Sequence, residues 1–164
     1  MRRNAGVIGA FLAVIAAFAA IYVQHQDQRE LIRVQVAIEM VKLYDSTEMR
    51  RARRTFAAEL LGQQGKSQIA EARVLDFFET LALYYRQDRI DDDSVYTNFE
   101  YPIMHYWAAA RDHIMALRKT DNDAEFYGGF EDLSGIMARQ NASQHRPPPT
   151  RVKQFLQEEA ALPE

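Results

Sequence analysis

Nineteen consecutive residues, Ala5 to Val23, carry no charge, and this run constrains the chain more than any other feature of it. At 1.5 Å per residue a helix of that length reaches about 28 Å, close to the roughly 30 Å of hydrocarbon in a bilayer. Nine of the residues are Val, Ile, Leu or Phe and seven are Ala. Insertion is then favourable by a few kcal/mol, at roughly 0.3–0.6 kcal/mol per large apolar side chain. Residues 1–4 form a basic tail with Arg2 and Arg3, which also suits the start of a signal peptide, and Ala17-Phe18-Ala19 meets the small-x-small rule for its cleavage. A transmembrane anchor over 5–23 is the preferred reading, with cleavage as the alternative, because the apolar run continues past that site through Ile21-Tyr22-Val23. Ala5, Gly9, Ala13 and Ala17 recur every four residues, a small-residue stripe that would let two spans approach as a homo-oligomer.

Beyond the run the chain reads as helices. Apolar residues at 31, 32, 34, 37, 38, 41 and 44 form a wide stripe, so a helix is expected to leave the membrane and enter the core of a domain. Asp45 and Glu48 have the spacing of a capping box for a second helix that carries Met49, Ala52, Phe56, Ala57, Leu60 and Leu61, with Gly62 and Gly65 ending it. A third helix is expected from about Ala70 to Gln87, and a fourth from about Asp93 to Lys119, capped by the acids at 91–93 and kinked or restarted at Pro102. A further helix carries Phe130, Leu133, Ile136 and Met137 after Gly128-Gly129. The expected organisation is a helical domain over 24–140, a Pro-rich linker over 141–149 and a short last helix over 150–164, capped by Thr150. No strand alternation, internal repeat or Gly-rich nucleotide loop is present, so the fold class is all-α, with the N-terminal transmembrane helix continuing into a compact helical bundle.

The charge pattern narrows the function. A formal charge of −3 is split unevenly: residues 24–75 hold nine basic and seven acidic side chains, and residues 76–164 hold nine and sixteen. A nucleic-acid module is basic overall, so nucleic acid is a disfavoured partner. Absence of cysteine excludes a disulfide scaffold and a thiol nucleophile. The main polar feature is the run Arg50-Arg51-Ala52-Arg53-Arg54. On a helical wheel Arg53 falls within the apolar arc, which predicts a buried guanidinium paired with Glu79 or Glu100, while Arg50, Arg51 and Arg54 form a basic patch whose alternative occupants are anionic lipid headgroups, nucleic acid or an acidic partner.

His113 borders the apolar arc of the fourth helix, and His105 is expected to point outward. Eight residues apart, they are no close ligand pair, and no metal or cofactor is expected. An enzyme would need a polar pocket gathering Arg53, Glu79, Glu100 and His113. The leading expectation is instead a non-enzymatic interaction or regulatory domain with an unidentified protein partner, its surplus of tyrosines offering a recognition surface.

The order of features, an N-terminal span, then Arg50-Arg51-Ala52-Arg53-Arg54, Phe77-Phe78-Glu79, Ile90-Asp91, Phe99 and Trp107, resembles an uncharacterised bacterial family of small single-pass membrane proteins with a helical domain of unknown function. The resemblance covers about residues 5 to 135 and implies architecture without chemistry. With it, the expected location is the bacterial inner membrane. The two N-terminal arginines favour a cytoplasmic N-terminus and a domain outside the cytoplasm, and Arg29, Arg33 and Lys42 weigh against that orientation.

Overall fold

A computed structural model describes residues 22, 24, 26 and 28–163. The basic tail, the uncharged run apart from Tyr22, and its Ala5, Gly9, Ala13, Ala17 stripe lie outside the described residues. Among the described residues no helix is long and apolar enough to cross a membrane.

The described chain is helical, with no strand. Helix α1 covers 28–44; α2 is Thr47–Leu60, α3 Gln68–Arg86, α4 Asp92–Asp121, α5 Gly128–Ser143 and α6 Val152–Ala160. They close into a compact bundle with a cluster of aromatic rings in its core. Phe78 stacks on Phe130 at 4.7 Å and meets Tyr106 at 5.6 Å, and Tyr106 stacks on Phe56 at 6.2 Å. All four rings are at most 1% exposed. Each contributes about 1.5–3 kcal/mol by leaving water, and ring pairs in such geometries add about 0.5–1.5 kcal/mol.

Helix α1 enters this core along one face only. Ala37 and Met40 are buried, and the Tyr44 ring lies 5.1 Å from that of Phe77. Farther back, Arg33 pairs with Asp88 just past the end of α3, so α1 and α3 run antiparallel.

Local chemistry accounts for the helix ends. Ser46 caps α2, its hydroxyl accepting from the Met49 N–H, and displaces the expected Asp45 box by one residue. Gly62 ends that helix region at φ +70°, a conformation glycine adopts without Cβ strain. Ser67 caps α3 through the Ala70 N–H.

Asp91 caps α4, accepting from the Ser94 N–H at 2.7 Å and the Ser94 hydroxyl at 2.8 Å. Burial pushes its carboxyl up, but the Ser94 donors and the Arg33 charge outweigh it and hold the group below the usual aspartate range. The sign follows: a carboxylate with a depressed folded pKa adds stability above its unfolded value, near 4, and loses it as pH falls through the folded value. Asp91→Ala is expected to cost about 1 kcal/mol at pH 7, and the difference should shrink by about pH 2. Thermal melts at the two pH values check this; an undiminished difference in acid would show that the carboxylate charge contributes nothing.

Two expectations about chain organisation are corrected, and of the two alternatives at Pro102 the restart is excluded. Helix α4 runs 30 residues through Pro102 without restarting. Proline costs one backbone bond there, but Phe99, Ile103 and Tyr106 on either side are essentially fully buried and hold the helix together. Helix α5 extends to Ser143, into the segment expected to be linker, because Asn141 is buried against α4. Finally α6 has no Thr150 cap; Arg151 is its N-cap residue, without a side-chain bond, and the helix is held by burial of Phe155, Leu156 and Glu159.

Candidate functional site

The residues singled out for a polar pocket are distributed over four separate sets of contacts. Arg53 is 5% exposed, and its partner is Glu159 of α6 rather than Glu79 or Glu100. Arg53 Nε donates to Glu159 Oε2 at 2.8 Å and Nη2 to Oε1 at 3.2 Å, a two-pronged geometry that only a planar guanidinium offers a carboxylate. The third nitrogen donates to the Tyr44 carbonyl, and the guanidinium lies 3.9 Å from the centre of the Tyr44 ring. Tyr106 donates its hydroxyl to Glu159 Oε2 at 2.7 Å. Burial, followed by the Glu159 charge, pushes the Tyr106 phenol well above its ordinary value, so it remains a donor. This cluster ties α1, α2, α4 and α6 together.

Glu79 serves the backbone of α5. That helix starts after Tyr127, whose φ of +56° leaves it without a side-chain cap, and Glu79 accepts from the N–H groups of Gly129 at 3.1 Å and Phe130 at 2.8 Å. A carboxylate at a helix N-terminus is favoured both by these orphan donors and by the helix dipole.

Glu100 accepts from Asn141 Nδ2, and Asn141 Oδ1 accepts from the Tyr96 hydroxyl. The same hydroxyl oxygen accepts from Arg146, whose guanidinium lies 3.7 Å from Glu100. Glu100, Asn141 and Arg146 line a cavity of about 320 Å³ together with His105 and Pro147. His105, expected to point outward, is buried: its Nδ1 meets the Tyr101 carbonyl at 2.8 Å and its ring lies 5.0 Å from Phe155. The polar groups here hold residues 141–151 against α4.

His113 approaches Glu71, with 2.7 Å between Nε2 and Oε1 but without the alignment of a hydrogen bond. Among the described residues no group of three His, Cys, Asp or Glu side chains is placed to hold a metal ion.

In the arginine patch Arg51 is exposed, whereas Arg50 and Arg54 are half-buried, and Arg50 Nε is buried without a hydrogen-bond partner. The surface is therefore less open than the run of four arginines implied. The tyrosines are drawn inward only in part: Tyr106 and Tyr127 are buried, Tyr44, Tyr84, Tyr85 and Tyr96 half-buried, and Tyr22 and Tyr101 exposed.

A further concavity is largely apolar. The end of α1, the start of α2 and one side of α3 enclose a groove of about 900 Å³ lined by Leu43, Met49, Ala72 and Phe77, with Glu48 and Asp76 among its polar residues. Ile69, in the first turn of α3, stands over it 77% exposed, and Leu43 is 48% exposed. Sequence reading missed this groove because Leu43 and Ile69 lie off the stripes that define their helices. It also missed Glu159, for which a signal exists: a carboxylate four residues after Phe155 and three after Leu156, on the apolar face of a short helix.

No curated protein and no solved structure matches the chain. A sequence-family model described as a domain of unknown function, DUF4760, matches residues 8–135, from within the uncharged run to the middle of α5. With well over half of its length matched, the chain belongs to the DUF4760 family of domains of unknown function.

Proposed function

We propose that the chain is a membrane-held, non-enzymatic interaction domain whose groove beside Ile69 takes up an apolar-faced helix of a partner protein. Residues 5–23 would span the bacterial inner membrane once, with residues 1–4 in the cytoplasm and the helical domain on the other side. The groove carries the reading: a concave, largely apolar surface between helices is a shape into which an amphipathic helix can lay its apolar face. Glu48, Arg73 and Asp76 line it with both signs of charge, which would orient a helix of complementary mixed charge. The anchor is supported by the length and composition of the uncharged run, and the family match begins inside that run.

A photo-crosslinking residue at Ile69, in the full chain in intact membranes, is expected to give a discrete adduct that Leu43→Glu suppresses. The same probe at Arg111, exposed on α4, should give none. Equal adducts at 69 and 111 would sink the groove reading. Resistance to alkaline extraction tests the anchor separately, and a mass loss of about 2 kDa would mark a cleaved leader instead.

A further inference from the structure

We propose that the outer flank of α1 is a homodimer seam, on which the same flank of a second copy lies in parallel. The inference rests on the anchor reading and names a second partner for it, distinct from the occupant of the groove. Helix α1 has two apolar faces. One, with Ala37 and Met40, is buried in the domain; the other carries Leu31, Val34 and Ile38, exposed by 70%, 54% and 49%. Single exposed aliphatics are ordinary, but these three are spaced three and four residues apart, which places them at successive a and d positions of a heptad. That spacing defines a register, which can be continued along the sequence before α1.

Its a and d positions before α1 are Gln24 and Asp27, then Gly6, Ala10, Ala13, Ala17 and Ala20 within the uncharged run. Nine of the 19 residues of that run are Gly or Ala, yet all five seam positions are. Small residues suit close contact inside a bilayer, where lipid already satisfies large apolar side chains, and large aliphatics suit contact in water. The change from one to the other occurs across Gln24 and Asp27, where the chain would leave the membrane. Leu31 lies eight residues past Val23, about 12 Å along a helix. Two copies anchored in one membrane share an orientation, so their emerging helices are parallel and meet with like faces, at an effective concentration raised by confinement.

The chain has no cysteine, so single-cysteine scanning is free of background. Leu31→Cys, Val34→Cys and Ile38→Cys in the full chain in membranes should give a covalent dimer on mild oxidation, at least fivefold more than Ile32→Cys or Glu39→Cys. Adding Ile38→Gln to Leu31→Cys should reduce the dimer severalfold while leaving the melting temperature unchanged, since Ile38 is exposed. Uniform crosslinking at all five positions, none at any, or adducts of a mass other than the dimer would overturn the seam. Membrane retention is scored in the same samples: a retained chain without the periodic pattern refutes the seam alone, and a chain that washes off yet keeps the pattern refutes the anchor alone.

Discussion

Arg53→Ala is expected to cost about 3–5 kcal/mol of folding stability, whereas Arg51→Ala, two residues away, should shift it by less than about 0.5 kcal/mol. For a domain of this size the first change lowers the melting temperature by on the order of 10–20 °C. The difference arises from surroundings, since both residues sit in the same turn of α2. Arg51 is exposed, while Arg53 fills a closed site with Glu159 on one side, the Tyr44 ring on another and the Tyr44 carbonyl on a third. Its removal leaves Glu159 buried with Tyr106 as its remaining donor among the described residues.

Glu159→Ala should cost a similar amount, because it strands the guanidinium instead. Replacing both by apolar residues of similar length, Arg53→Met with Glu159→Leu, should recover most of the loss, as burying an ion pair pays a desolvation penalty that an apolar pair avoids. Thermal unfolding of the full chain, followed by circular dichroism, reads all four variants. Additive losses in the double variant, or equal small shifts for Arg51→Ala and Arg53→Ala, would show that the pair is not a coupled structural element.

How far this cluster can be read before folding is a question of range. The place of Arg53 on the apolar face of α2 follows from local spacing, which is why an ion pair is expected there at all. Its partner is 106 residues away, on a helix that returns to the bundle after the Pro147–Pro149 segment, and no local pattern specifies which helix packs on which. Glu79 and Glu100 look equally suitable by periodicity, yet their oxygens are taken by the N–H groups of Gly129 and Phe130 and by Asn141.

The helical class and most helix positions were legible because the stripes of α2, α3 and α4 repeat at 3.6 residues, a property each segment carries alone. Tertiary burial then overrode local signals in two places: Pro102 stays inside a helix, and Asn141 begins no linker. The wide stripe of α1 was read as one face entering the core, but it comprises a buried face and an exposed one, a distinction that depends on what lies beside the helix.

Gly129→Ala is expected to destabilise the fold by about 1–3 kcal/mol, the opposite of what helix propensity alone would give. A Cβ at position 129 would sit 2.5 Å from Glu79 Oε1 and 2.9 Å from its carboxyl carbon, so the carboxylate must move. A long side chain could ordinarily swing aside at little cost. Here the same oxygens receive the N–H groups of Gly129 and Phe130, at the start of a helix whose own N-cap residue, Tyr127, supplies no side-chain acceptor.

Displacing Glu79 therefore leaves two half-buried donors without partners. Gly128 is the control, since a Cβ there meets nothing within 4 Å, and Gly128→Ala should be neutral or slightly stabilising. In a Glu79→Ala background the clash and the cap are both gone, so Gly129→Ala should become neutral or gain up to about 1 kcal/mol from helix propensity. That reversal of sign distinguishes loss of the cap from a general intolerance of bulk at 129. If Gly129→Ala costs the same with and without Glu79, the carboxylate does not act through that close approach.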